Sequence, residues 1–271
     1  MIASINRLYR MIFCRGGHGV HSPFVFDLLT TVIEEKMSYY CYESLSSVRM
    51  QFQQCNSNIE YDNRRYTVEN YLNKYCFSEC ENRLLFRLAN RFKPRTIYVI
   101  GSDLGLAPLY LTAYSKSAHC VVVEPEPTIA AIAQKFVDKY SSSKIDIHAS
   151  GNTNISDNGV IDLFVWGKSN PNASGSYYIS EADKNSGISE TSVAGTIACK
   201  AFSLVAFEKL LPYINDESVM VISDINSSKK NVDTWKKICA HSRVTVTLDL
   251  YSLGVVFFNP KLHRKTYKSL V

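Results

Sequence analysis

Apolar residues recur at two different spacings along this chain, and the spacing changes near residue 95. Before that point the period is helical. Ile2, Ile5, Leu8, Tyr9, Ile12 and Phe13 share one face, with Arg7 and Arg10 off it. Gly16, Gly17 and Gly19 interrupt any continuous helix. Ser22 is then a good N-cap and Pro23 a good first helical residue, which predicts a helix from there to about Lys36. Residues 42–56 and 79–92 each read as a helix; the second places Leu84, Leu85, Leu88 and Phe92 together and meets Pro94. Residues 1–78 are therefore expected to form a mostly helical extension, and residues 79–271 the main domain.

From Thr96 onward short apolar runs alternate with helical stretches. Strands are expected at 96–100, 119–124, 144–148, 161–166 and 218–223, and helices at 103–115, 127–140, 198–211 and 228–240. Such alternation implies a parallel sheet with right-handed crossovers and helices on both faces. The end of the chain departs from it. RVTVTLDL (243–250) and GVVFF (254–258) are separated only by Tyr-Ser-Leu, too short for a crossover, so an antiparallel hairpin is expected. Five parallel strands followed by a hairpin fit a seven-stranded sheet with one reversed strand better than six parallel strands.

Residues 168–196 are rich in Ser, Asn and Gly and lack apolar periodicity. They read as a long flexible insert, leaving the sheet edge where open α/β sheets bind ligands. A hydrophobic content of 46 % argues for a packed core, and the net charge of +5 permits an anionic partner without requiring one. The eight cysteines form no CxxC pair and read as reduced thiols. No apolar run approaches the ~20 residues of a membrane span, and Arg15 interrupts the short apolar run that precedes it. A cytoplasmic protein is expected. His18 and His21 invite a metal reading but lack a third ligand nearby, and loop-fixing hydrogen bonds suit them better.

The chemistry-bearing positions cluster at expected strand ends. After strand 96–100, Gly101 and Gly105 bracket Ser102, Asp103 and Leu104. Gly101 permits a tight turn, and the N–H groups at the following helix start would face a ligand. CVVVEPEP ends the next strand with Glu124, about 20 residues beyond the glycine loop, where a carboxylate can accept both hydroxyls of a ribose. HASGN carries Asn152 to the same edge, where its amide could meet an adenine. WGKS (166–169) has the tail of a phosphate loop, but Asp162 stands where that motif needs glycine. VISDINSSKK ends the fifth strand and presents Asp224 and Asn226; Asp224 is the candidate base. The basic tail KLHRKTYK and Lys229, Lys230, Lys236 and Lys237 would suit a nucleic acid, but the lysines read more simply as a solvated helix face.

Taken together, these segments resemble a class I S-adenosylmethionine-dependent methyltransferase, and more closely a bacterial subgroup of about this length. The likeness is carried by RGGHGVHSPFVFDLL, LLFRLANRFKPRTIYVIGSDLGLAPLYL, VVVEPEP, FEKLLPYINDESVMVISDI and VTVTLDLYSLGVVFF. It implies a Rossmann-like methyltransferase sheet and S-adenosylmethionine held by Gly101, Ser102, Asp103, Gly105, Glu124 and Asn152. It also implies methyl transfer to a small-molecule acceptor. The chain departs from the subgroup's pattern in three places: Val99 replaces the loop acid, Trp166-Gly167-Lys168-Ser169 replaces Asp-Gly-Asn-His, and Ser223 replaces the first acid of the fifth strand's end. With only Asp224 and Asn226 left as possible ligands, no resident metal is expected. The alternative implied by the departures is a catalytically impaired relative serving as an interaction module.

Overall fold

The computed structural model describes residues 10, 17, 19–55, 58–61, 64–101, 103–124, 126–149, 159–168 and 202–270. The expected insert beyond Lys168, Ser102, Asn152 and His18 lie outside them.

Among the described residues, side-chain caps set where three of the four N-terminal helices begin. Ser22 Oγ accepts the Val25 N–H and starts α1 (Pro23–Leu28). Instead of running on to Lys36, the helix widens over Leu29–Ile33, where the Glu34 N–H reaches back to the Leu29 carbonyl. Arg87 stops it there by donating to the Val32 and Ile33 carbonyls. Next come α2 (Tyr42–Gln53) and a small antiparallel hairpin, β1 (Asn58–Tyr61) with β2 (Arg64–Thr67), which the helical reading of the extension missed. Thr67 caps α3 (Val68–Tyr75). Ser78 and Glu81 form a reciprocal capping box on α4 (Glu79–Phe92), and Lys93 ends it in the left-handed conformation just before Pro94.

The alternating half then follows: β3 (Thr96–Ile100), α5 (Leu106–Thr112), β4 (His119–Val123), α6 (Pro127–Tyr140), β5 (Lys144–His148), β6 (Leu163–Trp166), α7 (Leu204–Leu210), β7 (Val219–Ser223) and α8 (Lys229–Ala240). The helix expected from 103 begins only at Leu106, because a tight turn occupies Asp103–Gly105. The chain closes with β8 (Val246–Asp249), β9 (Leu253–Phe257) and β10 (Lys265–Lys268).

Among the described residues the main sheet has eight strands in the order β10-β8-β9-β7-β6-β3-β4-β5. β3 to β7 pair in parallel, and the hairpin inserts β9 antiparallel between β7 and β8. The eighth strand, β10, pairs parallel to β8 and adds one strand to the seven expected.

Strand residues alternate between two cores. Ile97, Val99, Val122, Val165, Val221 and Val255 join the cluster that contains α4, α5, α6 and residues of α1, α2 and α3, so the extension and one face of the sheet share one core. Tyr98, Ile100, Phe164, Trp166, Ile222 and Val256 pack on the opposite face with Phe207 and Leu210 of α7 and Trp235 and Ile238 of α8. No helix among the described residues is long and apolar enough to cross a membrane.

Candidate functional site

Strand β3 has β4 on one side and β6 on the other, so crossovers leave it in opposite directions and its C-terminal end opens a crevice. The glycine loop sits there. Gly101 turns with φ +86°, and its N–H donates to the Val123 carbonyl at 2.9 Å. The face where Gly101 would carry a Cβ looks toward Gly167 Cα and the Lys168 carbonyl, each 3.8 Å away. Gly167 donates to the Ile100 carbonyl, and a Cβ on it would lie 2.6 Å from that oxygen, so only glycine lets β6 end this close to the loop. Gly105 serves packing: a Cβ there would lie 3.1 Å from the Ala133 carbonyl of α6.

Between the glycines, Asp103 and Leu104 are both left-handed, with φ of 52° and 56°. Such conformations cost of order 1–3 kcal/mol each and persist only where the surroundings hold them. Asp103 is buried and turned toward the start of α4. It accepts the Phe77 N–H at 2.7 Å and the Asn82 amide N–H at 3.1 Å. Burial pushes its carboxyl up to about 6 despite those bonds. The buried Cys76 thiol beside it is raised too, by burial first and then by Asp103. Val99 is wholly enclosed in the core.

Glu124 follows β4 and is 5 % exposed. Its N–H donates to the His148 carbonyl, and its Oε1 accepts the Glu126 N–H at 3.2 Å. The carboxylate thus stands at the same sheet edge as the loop.

On the other side of the loop the structure assembles a cluster of ionisable groups. Lys168 Nζ lies 2.9 Å from Glu81 Oε2, with the Phe77 ring 5.9 Å away. That same Glu81 oxygen accepts the Ser78 N–H at 2.7 Å. Burial acts to raise the Glu81 carboxyl, but the Lys168 charge and the Ser78 bonds outweigh it and hold it below its ordinary value. Asp224 follows β7 with φ 56°; burial raises its carboxyl, Lys168 opposes that and Glu81 adds to it. Its backbone is fixed, its N–H donating to the Ser252 carbonyl and its own carbonyl accepting from Ser227 and Asn231.

Asn226 turns away to donate to the Tyr251 carbonyl at 2.8 Å and to Asp249 at 3.3 Å. Asp249 in turn takes a two-pronged ion pair from buried Arg10, at 2.6 and 2.8 Å. Neither Lys168 nor Glu81 stood out in the sequence as a site residue. Ser78-x-x-Glu81 signals only a helix cap, and WGKS drew attention as a phosphate motif that fails.

No protein-family model and no curated protein matches the sequence. Solved structures do. Cofactor-bound Rv0187 from MTB superposes with a TM-score of 0.52 at 10 % identity, covering 87 % of this chain and 95 % of that one. A Staphylococcus aureus protein provisionally named a caffeoyl-CoA O-methyltransferase gives 0.50 at 15 % identity, over 80 % and 99 %. The fold is that of the methyltransferases. SAH-bound PaMTH1, a Podospora anserina methyltransferase, gives 0.49 at 11 % identity over 83 % and 99 %. Within this methyltransferase-like fold, the β3 loop, Glu124 and the Lys168 cluster occupy one continuous stretch of the C-terminal sheet edge.

Proposed function

We propose that the protein transfers a methyl group from S-adenosylmethionine to a small-molecule acceptor. The observation that carries this reading is the cradle at the end of β3. Gly101 turns there with φ +86°, Gly167 lets the end of β6 pack against that turn, and Glu124 stands at the tip of the adjacent strand. A nucleoside cofactor suits that arrangement: the Gly101–Gly105 turn would lie against its amino-acid portion, and Glu124 would accept the ribose hydroxyls. When bound, the cofactor supplies an electrophilic methyl group on a sulfonium. The chain's own part is to align the acceptor and exclude water. Asp224 is the base, fixed by its backbone bonds beside the Lys168–Glu81 pair.

Titration calorimetry with S-adenosylhomocysteine tests this. The wild-type protein is expected to bind, and Glu124→Ala to weaken binding by about 1.5–3 kcal/mol, the scale of a hydrogen bond to a charged group. Absence of binding in the wild type would reject the reading. A second reading, an impaired relative acting as an interaction module, is favoured by one observation: the loop's carboxylate at Asp103 is engaged by Phe77 and Asn82 while Val99 is sealed in the core.

A further inference from the structure

We infer that Asn82 is a positioning residue for cofactor binding, anchoring Asp103 so that the glycine loop keeps the shape that receives the ligand; this rests on the methyltransferase reading above. Asn82 lies near the start of α4 and is wholly buried. Asparagine suits neither circumstance: its amide competes with helix bonds, and burying it is costly unless it is bonded. Its Nδ2 donates to Asp103 Oδ2 at 3.1 Å, while Asp103 Oδ1 accepts the Phe77 N–H at 2.7 Å. The Phe77 carbonyl is itself held, accepting from Arg49 of α2 at 2.8 Å. Two donors fixed outside the loop therefore grip the two oxygens of one carboxyl, and one of them is tied back to the N-terminal extension.

The grip matters because of what it holds. Asp103 and Leu104 are left-handed in succession, and a leucine gains nothing locally from that conformation. Leu104 is wholly buried in the core that contains Ile129 and Val137 of α6, so one side of the turn is fastened by packing. Asp103 fastens the other side by its two bonds. Without Asn82 that second side is free to relax toward ordinary backbone, and Gly101 and the start of α5, which flank the turn, shift with it. Asp103 in this account touches no ligand; it acts through the shape of the loop.

Calorimetry with S-adenosylhomocysteine on the full chain tests this, with circular dichroism confirming that each variant is folded. Asn82→Ala is expected to weaken binding roughly tenfold, the low end for a hydrogen bond to a charged group. Asp103→Asn should retain most of the affinity, within about threefold, because asparagine tolerates the left-handed turn and can keep both bonds once the Asn82 amide turns over. In an Asp103→Gly background, where the carboxyl is gone, Asn82→Ala should cost less than about twofold more. A role in helix packing alone would cost the same in both backgrounds. The wild type gives a second reading that needs no variant. Coupling is reciprocal, so saturating S-adenosylhomocysteine should slow exchange of the Phe77 amide, whose bond to Asp103 must open first, by about the same tenfold. Equal affinity in the wild type and Asn82→Ala, an equal loss in both backgrounds, or Phe77 exchange unmoved by the ligand overturns the inference and leaves the methyltransferase reading standing. A wild type that binds no S-adenosylhomocysteine overturns that reading, and the inference with it.

Discussion

Replacing Arg10 with Met is expected to lower the unfolding free energy by about 3–5 kcal/mol, the usual cost of removing one partner from a buried ion pair. Arg10 and Asp249 are paired through both guanidinium nitrogens, and their side chains are 10 % and 9 % exposed. Arg10 also donates to the Asp249 carbonyl at 3.0 Å and lies over the Tyr251 ring. Without it, the buried Asp249 carboxylate keeps, among the described residues, the Asn226 amide and the Tyr251 N–H. Urea denaturation checks this. The double variant Arg10→Met, Asp249→Leu should be markedly less damaged than Arg10→Met alone, because the stranded charge is then gone. A loss below about 1 kcal/mol in the single variant would mean that the pair behaves like a surface contact.

The second large effect is a pH dependence. The Asp103 carboxyl rises from 3.8 to about 6 on folding, with burial as the main cause. The folded chain therefore keeps a proton that the unfolded chain has released. Stability from this group is full below the unfolded value and is lost as pH rises through the folded one. Over about pH 3 to 8 the loss should reach about 3 kcal/mol for a shift of this size, most of it between about pH 4 and 7. Asp103→Asn removes the titration. It can still accept the Phe77 N–H, and its amide can pair with the Asn82 oxygen, which has no partner among the described residues, once the Asn82 amide turns over. The stability difference between the two proteins should thus shift toward the variant as pH rises. Contributions common to both, such as Asp224 and Glu81, cancel. A difference that stays flat from pH 4 to 7 would reject the buried-acid account.

Much of this architecture can be read from residue patterns because burial demands it. The runs at 96–100 and 144–148 and the helix at 127–140 coincide with β3, β5 and α6. Their apolar spacing matches the sheet and helix faces that pack. β10 escapes such reading because Lys265, Thr266 and Lys268 are exposed and only Tyr267 reaches the core; backbone pairing with β8 makes it a strand. The hairpin at β1 and β2 is similarly thin, with Ile59 its buried anchor.

At the site, the places of Gly101, Glu124 and Asp224 follow from strand ends, which alternation locates. The orientation of Asp103 does not follow, because a left-handed residue can aim its side chain at the crevice or away from it. The Lys168–Glu81 pair joins a strand end to a helix start far apart in sequence, and neither residue's neighbours announce the other.

The placement of β9 also constrains how the chain can be made. β9 is synthesised after β8 yet lies inside it, against β7. Until the hairpin has emerged from the ribosome, β7 has a bare edge, and all five of its residues are buried in the finished sheet. The segment between β7 and β9 is thus a window in which a growing chain offers a flat apolar template to its neighbours. Chains ending at residue 242 and held on the ribosome by a linker that spans the tunnel should bind a chaperone that holds unfolded chains, and chains carried on the same linker through residue 271 should let it go; equal retention of both would show that the β7 edge is shielded by other means. The sheet that carries the glycine loop is thus completed late, with the last strands to leave the tunnel.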